Sequence, residues 1–225
     1  GPMNRFILFD LDGTLIDGVA DLLNALNSVL AKHSLPPLSR PELESMLGDG
    51  MRMLTRRAFA SRNTSLAESD FEQACDDFLT TYKATDYAGT RLYPGVASTL
   101  LQLHSDGWRI GLASNKFTEP CHGILQRLGI HPLFSVIAGG DATTVKKPDG
   151  GHLRYALEQM GFQTGDRAVM VGDHANDVNA ARAAGLTAIA VALEVDPARA
   201  NSLGADAVVT DFTELPAVLA RLFSH

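Results

Sequence analysis

The chain has 225 residues, 45% of them apolar and 20% charged, and 19 Lys and Arg stand against 26 Asp and Glu for a formal net charge of −7. This is the composition of a folded chain with room for one large domain or a domain carrying a smaller insert, and it excludes the disordered and fibrous classes. The acidic balance, with no basic run, argues against nucleic-acid backbone binding.

Two cysteines, Cys75 and Cys121, cannot build a disulfide framework and point to a reducing cytoplasm. The longest apolar stretches, such as 187–193, are far too short to span a bilayer, so no membrane partner is expected. Gly1 and Pro2 ahead of Met3 read as a cloning remnant, and no charged-then-apolar leader precedes the first strand.

In chain order, RFILF at 5–9 reads as a buried strand that breaks into the polar stretch DLDGT. Residues 18–85 contain no strand-like run. Apolar spacing predicts helices at 20–33, 40–47, 51–60 and 71–82, an all-helical insert with Gly/Pro-marked hinges at 16–18 and 88–94. The insert is expected to span 18–89, with 3–17 and 90–225 forming the core. Strand-like runs then recur at 108–113, 135–139, 167–172 and 187–192. Helical patterns between them, at 122–128, 152–160 and 176–184, stop at Gly129, Gly161 and Gly185. This alternation predicts an α/β fold: a Rossmann-like, doubly wound parallel sheet with an inserted helical domain. Small ligands in such sheets sit at the carboxyl ends of the strands.

The polar clusters lie at those ends. In FDLDGT, a strand continuing past Phe9 would point Asp10 and Asp12 to one side. Two close carboxylates repel, and a hard cation such as Mg²⁺ relieves the repulsion. An aspartate can also attack phosphorus while its neighbour moves protons. The competing reading is an Asx-Gly turn with solvated acids. Ser114 and Asn115, after the run at 108–113, can hold phosphate oxygens or cap a helix. Lys147, with Lys146 as the second choice, can offset negative charge or simply be a surface lysine. Asp173 and Asp177 share a helix-face spacing in GDHANDV, where a magnesium site competes with ordinary helix capping. Together these are an acid pair, a hydroxyl, a lysine and a second acid pair on four successive strand ends. The seven histidines show no paired metal spacing, which argues against zinc.

With FDLDGT, ASN at 113–115, Lys147 before Pro148, and GDHAND, the chain resembles the haloacid dehalogenase superfamily of phosphotransferases over nearly its whole length. The resemblance implies Asp10 as nucleophile, Asp12 as general acid/base, Ser114 on the phosphate with Asn115 in support, and Lys147 beside it. It implies Mg²⁺ on Asp10, Asp173 and the main-chain carbonyl of Asp12, with Asp177 supporting, and a mobile cap made by the insert. Within the superfamily, LGDGMRML at 47–54, YPGV at 93–96, SNK at 114–116 and GGDATTVKKP at 139–148 resemble the bacterial phosphoglycolate phosphatases. Two positions depart from that pattern: KPDGG lacks the usual second proline, and His174 stands where a small hydroxyl residue is common.

The expected activity is therefore Mg²⁺-dependent hydrolysis of a small anionic phosphate ester, 2-phosphoglycolate first, through an aspartyl-phosphate. The neighbouring alternatives are a sugar-phosphate phosphatase, for example on N-acetylmuramic acid 6-phosphate, and a beta-phosphoglucomutase-like phosphotransferase. A receiver module of the signalling type also uses acids, a hydroxyl and a lysine, but lacks a DxDGT nucleophile on the first strand and a long helical insert. In the cap, the N–H groups near Gly48 and Gly50, and Arg52 as a cationic fork, are expected to meet the substrate carboxylate, with Lys116 next in line. A monomer or homodimer is expected.

Overall fold

The computed structural model describes residues 3–224; Gly1 and Pro2, the expected cloning remnant, and His225 lie outside the described residues. The apolar run at 5–9 is strand β1 (Arg5–Phe9), followed by β2 (Ile16–Asp17) and helices α1 (Val19–Lys32), α2 (Arg40–Glu44), α3 (Met51–Ala60) and α4 (Glu68–Ala84). The chain returns through β3 (Arg91–Leu92) and continues α5 (Val96–Ser105), β4 (Trp108–Ala113), α6 (Thr118–Arg127), β5 (Phe134–Ala138), α7 (Gly150–Gln159) and β6 (Arg167–Gly172). It ends α8 (Ala175–Ala184), β7 (Thr187–Val191), α9 (Ala198–Asn201), β8 (Ala207–Val209) and α10 (Leu215–Leu222).

Six strands form one parallel sheet in the order β5-β4-β1-β6-β7-β8. The two-residue period sorts β1 onto both faces. Ile7 and Phe9 join a cluster with Leu100 and Leu103 of α5 and Leu215 and Leu219 of α10. Phe6 and Leu8 join the opposite cluster with Leu153 and Leu157 of α7 and Ala180 and Ala181 of α8. A sheet buried on both faces needs continuous apolar strands, which is why these runs do not alternate with polar residues. Strand order reverses at β1, between β4 and β6, and the crevice at that switch point is where a ligand fits.

Helices α1–α4 form the inserted cap. It hangs on a two-strand stalk, β2 against β3, with Ile16 facing Leu92 and Asp17 facing Arg91. Buried Asp21 in the first turn of α1 staples the two connections: its carboxylate accepts from the Gly89 N–H (3.0 Å) and the Thr90 hydroxyl (2.7 Å). Helix α2 is shorter than the predicted 40–47: past Glu44 the chain tightens into turns, with the Met46 N–H donating to the Leu43 carbonyl (2.9 Å), before Gly48 and Gly50, at φ of +117° and +89°, bend it into a loop ahead of α3. Among the described residues, no helix is long and apolar enough to cross a membrane.

Candidate active site

Asp10 follows β1, and its N–H still donates to the Val171 carbonyl (3.0 Å), one rung past the strand. The chain then turns, with the Leu11 carbonyl accepting from Leu15 N–H at 2.9 Å. Asp12 therefore sits in a turn beyond the end of β1, so strand periodicity is not what brings it beside Asp10, although both line one cavity. The turn separates their partners. Asp10 Oδ1 lies 3.1 Å from Lys147 Nζ, and Asp12 Oδ2 lies 2.9 Å from Lys116 Nζ. Gly13 makes the turn possible at φ +82°, and a Cβ there would collide with the Asp173 carboxylate.

Lys147, rather than Lys146, reaches the acids. Its Nζ also donates to Asp177 Oδ1 at 2.5 Å, with both side chains 2% exposed. Burial alone would lower the Lys147 pKa; the Asp10 and Asp177 charges outweigh it and raise it, so the ammonium is kept. Lys146 is exposed and donates to the Asp49 carbonyl (2.6 Å). Ser114 and Asn115 do not cap a helix: α6 starts at Thr118 with Phe117 at its cap. Buried Ser114 accepts from Lys116 N–H (3.1 Å).

Carboxylate oxygens of Asp10, Asp173 and Asp177 lie within 4.8 Å of one another. Both oxygens of Asp177 are committed, Oδ1 to Lys147 and Oδ2 to the His174 N–H (3.0 Å), which leaves Asp10 and Asp173 open to a cation. Burial, then the Asp177 charge, pushes the Asp10 carboxyl up. Burial, then the charges of Asp10 and Asp177, pushes Asp173 well up. Crowded acids with raised pKa and an all-oxygen donor set fit a hard divalent cation.

Both departures from the resembled pattern have local causes. His174 is the N-cap of α8: its Nδ1 accepts from Asn176 N–H (3.1 Å), the bond a small hydroxyl would make. At Gly150, a Cβ would stand 2.9 Å from the main chain of Ala183 and Ala184, so the start of α7 packs on the end of α8 with no room for a ring.

The cap loop docks on this site. The Gly48 carbonyl accepts from Asn115 Nδ2 (3.0 Å) and Asn176 Nδ2 (3.1 Å), and Asp49 Oδ1 accepts from Asn176 (2.7 Å). Tyr82 of α4 is fully buried, and its hydroxyl accepts from Lys116 Nζ at 2.5 Å. Between cap and core lies a cavity of about 510 Å³. Asp10, Asp12, Ser114, Lys116 and Asp173 line its core side, Val19, Leu22, Gly48, Gly50, Met51 and Leu54 its cap side, and Arg199 is also in its wall.

Arg52 stands outside the larger cavity: the carboxylate it forks is Glu72, at 2.8 and 2.5 Å, and its side chain is 48% exposed. Met51, Leu54 and Thr55 occupy the buried face of α3, so Arg52, about 100° round the helix from Met51, turns to α4 instead. It borders a smaller hollow of about 260 Å³ shared with Lys146. Sequence reasoning missed Tyr82, Asn176, Arg199 and a buried imidazole, His152. Tyr82 continues the apolar stripe Phe71, Ala74, Phe78 and reads as packing, Asn176 lies inside GDHAND but reads there as a helix cap, and nothing in the sequence sets Arg199 and His152 apart.

Residues 7–191 match the family of haloacid dehalogenase-like hydrolases. The chain is 36% identical over 224 residues to the phosphoglycolate phosphatase of Agrobacterium fabrum, covering 99% of this chain and 96% of that one. The crystal structure of a predicted phosphoglycolate phosphatase from Haemophilus somnus superposes with a TM-score of 0.88 at 29% identity, over 96% of this chain and 97% of that one. CbbY from Rhodobacter sphaeroides, in complex with phosphate, gives a TM-score of 0.79 at 26% identity, over 95% and 96%. A match of this length, with an acid after β1 and a lysine and second acid pair converging on it, makes the chain a member of the haloacid dehalogenase-like hydrolases.

Proposed function

We propose that this chain is a Mg²⁺-dependent phosphomonoesterase acting on a small anionic phosphate ester, with 2-phosphoglycolate the leading candidate, in a reducing cytoplasm. The observation that carries the reading is the pairing of two buried lysines with two acids of one loop: Lys147 with Asp10 at 3.1 Å, Lys116 with Asp12 at 2.9 Å. One pair suits a nucleophile facing a phosphate. The other places a cation where the remainder of an anionic substrate would lie. The phosphoglycolate phosphatases that the chain resembles in sequence support the same substrate.

Lys147 holds Asp10 oriented and offsets charge as a carboxylate oxygen attacks phosphorus. The ester P–O bond breaks, its electron pair goes to the leaving oxygen, and Asp12 supplies that oxygen with a proton. Asp12 then takes a proton from water as the water attacks the aspartyl-phosphate, releasing inorganic phosphate and restoring Asp10. Ser114 binds phosphate oxygens throughout. Asp10, Asp173 and the Asp12 carbonyl would hold a Mg²⁺, which when bound would neutralise charge on the phosphoryl oxygens. Residues 18–89 act as a cap that closes by docking Gly48 and Asp49 on Asn115 and Asn176, shutting out bulk water.

The cavity favours a second reading. At about 510 Å³ it lies in the range of roughly 300–1,000 Å³ that holds drug-sized ligands, and much of its cap side is apolar. Phosphoglycolate fills a fraction of it; a sugar phosphate would fill more. Phosphate release from a panel containing phosphoglycolate, hexose phosphates and N-acetylmuramic acid 6-phosphate decides between them. Failure on every ester of the panel would refute the phosphatase reading.

The specificity contact is tested with Lys116→Met and Arg52→Ala. Lys116→Met should lower the ratio of kcat/KM for phosphoglycolate over an uncharged aryl phosphate by roughly ten- to a hundredfold, the scale of a charge-assisted contact of ~1.5–3 kcal/mol. Arg52→Ala, losing an exposed pair with Glu72 and a contact over the Phe71 ring but nothing in the larger cavity, should leave that ratio within about twofold. The reverse ranking would return the carboxylate contact to Arg52.

A further inference from the structure

The loop from β5 to α7 carries Lys147, whose ammonium must stand on Asp10 although the segment around it has no strand or helix to fix it. Its main chain is held by side chains instead. The Lys147 carbonyl accepts from Asn115 Nδ2 at 2.9 Å, and the Lys147 N–H donates to Nδ1 of His152 at 3.2 Å. His152, in the first turn of α7, is 0% exposed. Its other nitrogen, Nε2, lies 2.9 Å from the Ala138 carbonyl at the end of β5. That carbonyl also accepts the Ser114 N–H at 3.1 Å.

The partners dictate the ring's chemistry. A main-chain N–H can only donate, so Nδ1 must be the bare acceptor; a carbonyl can only accept, so Nε2 must carry the hydrogen. One neutral tautomer satisfies both, and burial pushes the imidazole pKa down to about 4, so that tautomer persists at neutral pH. A buried polar ring satisfied at both ends by main-chain groups is a rigid strut.

We infer that His152 is a positioning residue: its imidazole spans from the Ala138 carbonyl, which it shares with the Ser114 N–H, to the Lys147 N–H, and so sets the Lys147 ammonium on the nucleophile Asp10. This rests on the phosphatase reading for its kinetic consequence but not for its geometry. An ångström of slack in Lys147 weakens charge neutralisation in the transition state more than ground-state substrate binding, so kcat should fall and KM should change little.

Three variants separate the strut from simple packing. Asparagine keeps an acceptor near the Nδ1 position, glutamine keeps a donor near Nε2, and leucine keeps neither. His152→Leu should lower kcat by roughly thirty- to a hundredfold with KM within threefold. His152→Asn should recover most of that loss, while His152→Gln should not, at matched thermal stability. Long-range ¹H–¹⁵N spectra of the wild-type protein provide a readout independent of turnover and of variant folding. They should show His152 as the Nε2–H tautomer at pH 7, with the Lys147 amide protected from exchange. An Nδ1–H tautomer, an unprotected Lys147 amide, or equal kcat losses in the Asn and Gln variants would overturn the assignment. Wild-type protein with the expected tautomer but no phosphatase activity would instead refute the functional reading and leave the strut standing.

Discussion

Asp10→Asn should lower kcat for any good ester substrate by roughly 10³- to 10⁵-fold, equivalent to about 4–7 kcal/mol of transition-state stabilisation. The substitution keeps the shape and removes the attacking charge. It should not unfold the protein. The Asp10 carboxylate is penalised first by burial and then by the Asp177 charge, so neutralising it relieves a conflict in the metal-free state. Lys147 keeps Asp177 as a partner at 2.5 Å. Melting of the metal-free variant at or above the wild-type temperature, together with the kinetic collapse, is the expected pair of results. A variant that turns over at near wild-type rate, with deamidation excluded by mass spectrometry, would remove Asp10 from the nucleophile's role.

The strand ends were readable in the sequence because parallel strands buried on both faces leave unbroken apolar runs, and β1, β4 and β6 fall at the predicted 5–9, 108–113 and 167–172. Strand β8 escaped because three residues carry no period, and α5 and α10 were not picked out. The site's acids were legible through spacing near strand ends, but their division was not. Which lysine pairs with which aspartate depends on a turn at Leu11 and on two loops meeting in space. Arg52 shows the limit from the other side. A motif places a residue on a helix, yet 100° of rotation decides whether it meets the cavity or Glu72. His152 was invisible for a third reason: as one polar residue in a helical pattern it has no distinguishing neighbour, and its role arises from two main-chain groups of other segments.

Removal of divalent metal should abolish turnover, and added Mg²⁺ should restore it. Asp10, Asp173 and Asp177 place three carboxylates within 4.8 Å, against the single ammonium of Lys147. Without a further cation this cluster repels an incoming phosphate dianion, and Asp173 responds by holding its proton well above the usual range. A hard divalent ion changes both, since it neutralises the acids and accepts phosphoryl oxygens. Ca²⁺ should inhibit, because its larger and looser shell misplaces the attacking oxygen. Binding should also be visible without substrate. At a Mg²⁺ concentration a hundred times its Kd, the folded state gains about 2.7 kcal/mol, which raises the melting temperature of a chain this size by roughly 5–10 °C. Asp173→Asn should lose that shift along with activity, whereas Lys116→Met, which removes the ammonium beside Asp12 and Tyr82 but no metal-holding group, should keep it. Full turnover after exhaustive chelation with verified metal content, or a Mg²⁺-induced shift that survives Asp173→Asn, would move the metal away from the Asp10–Asp173 pair.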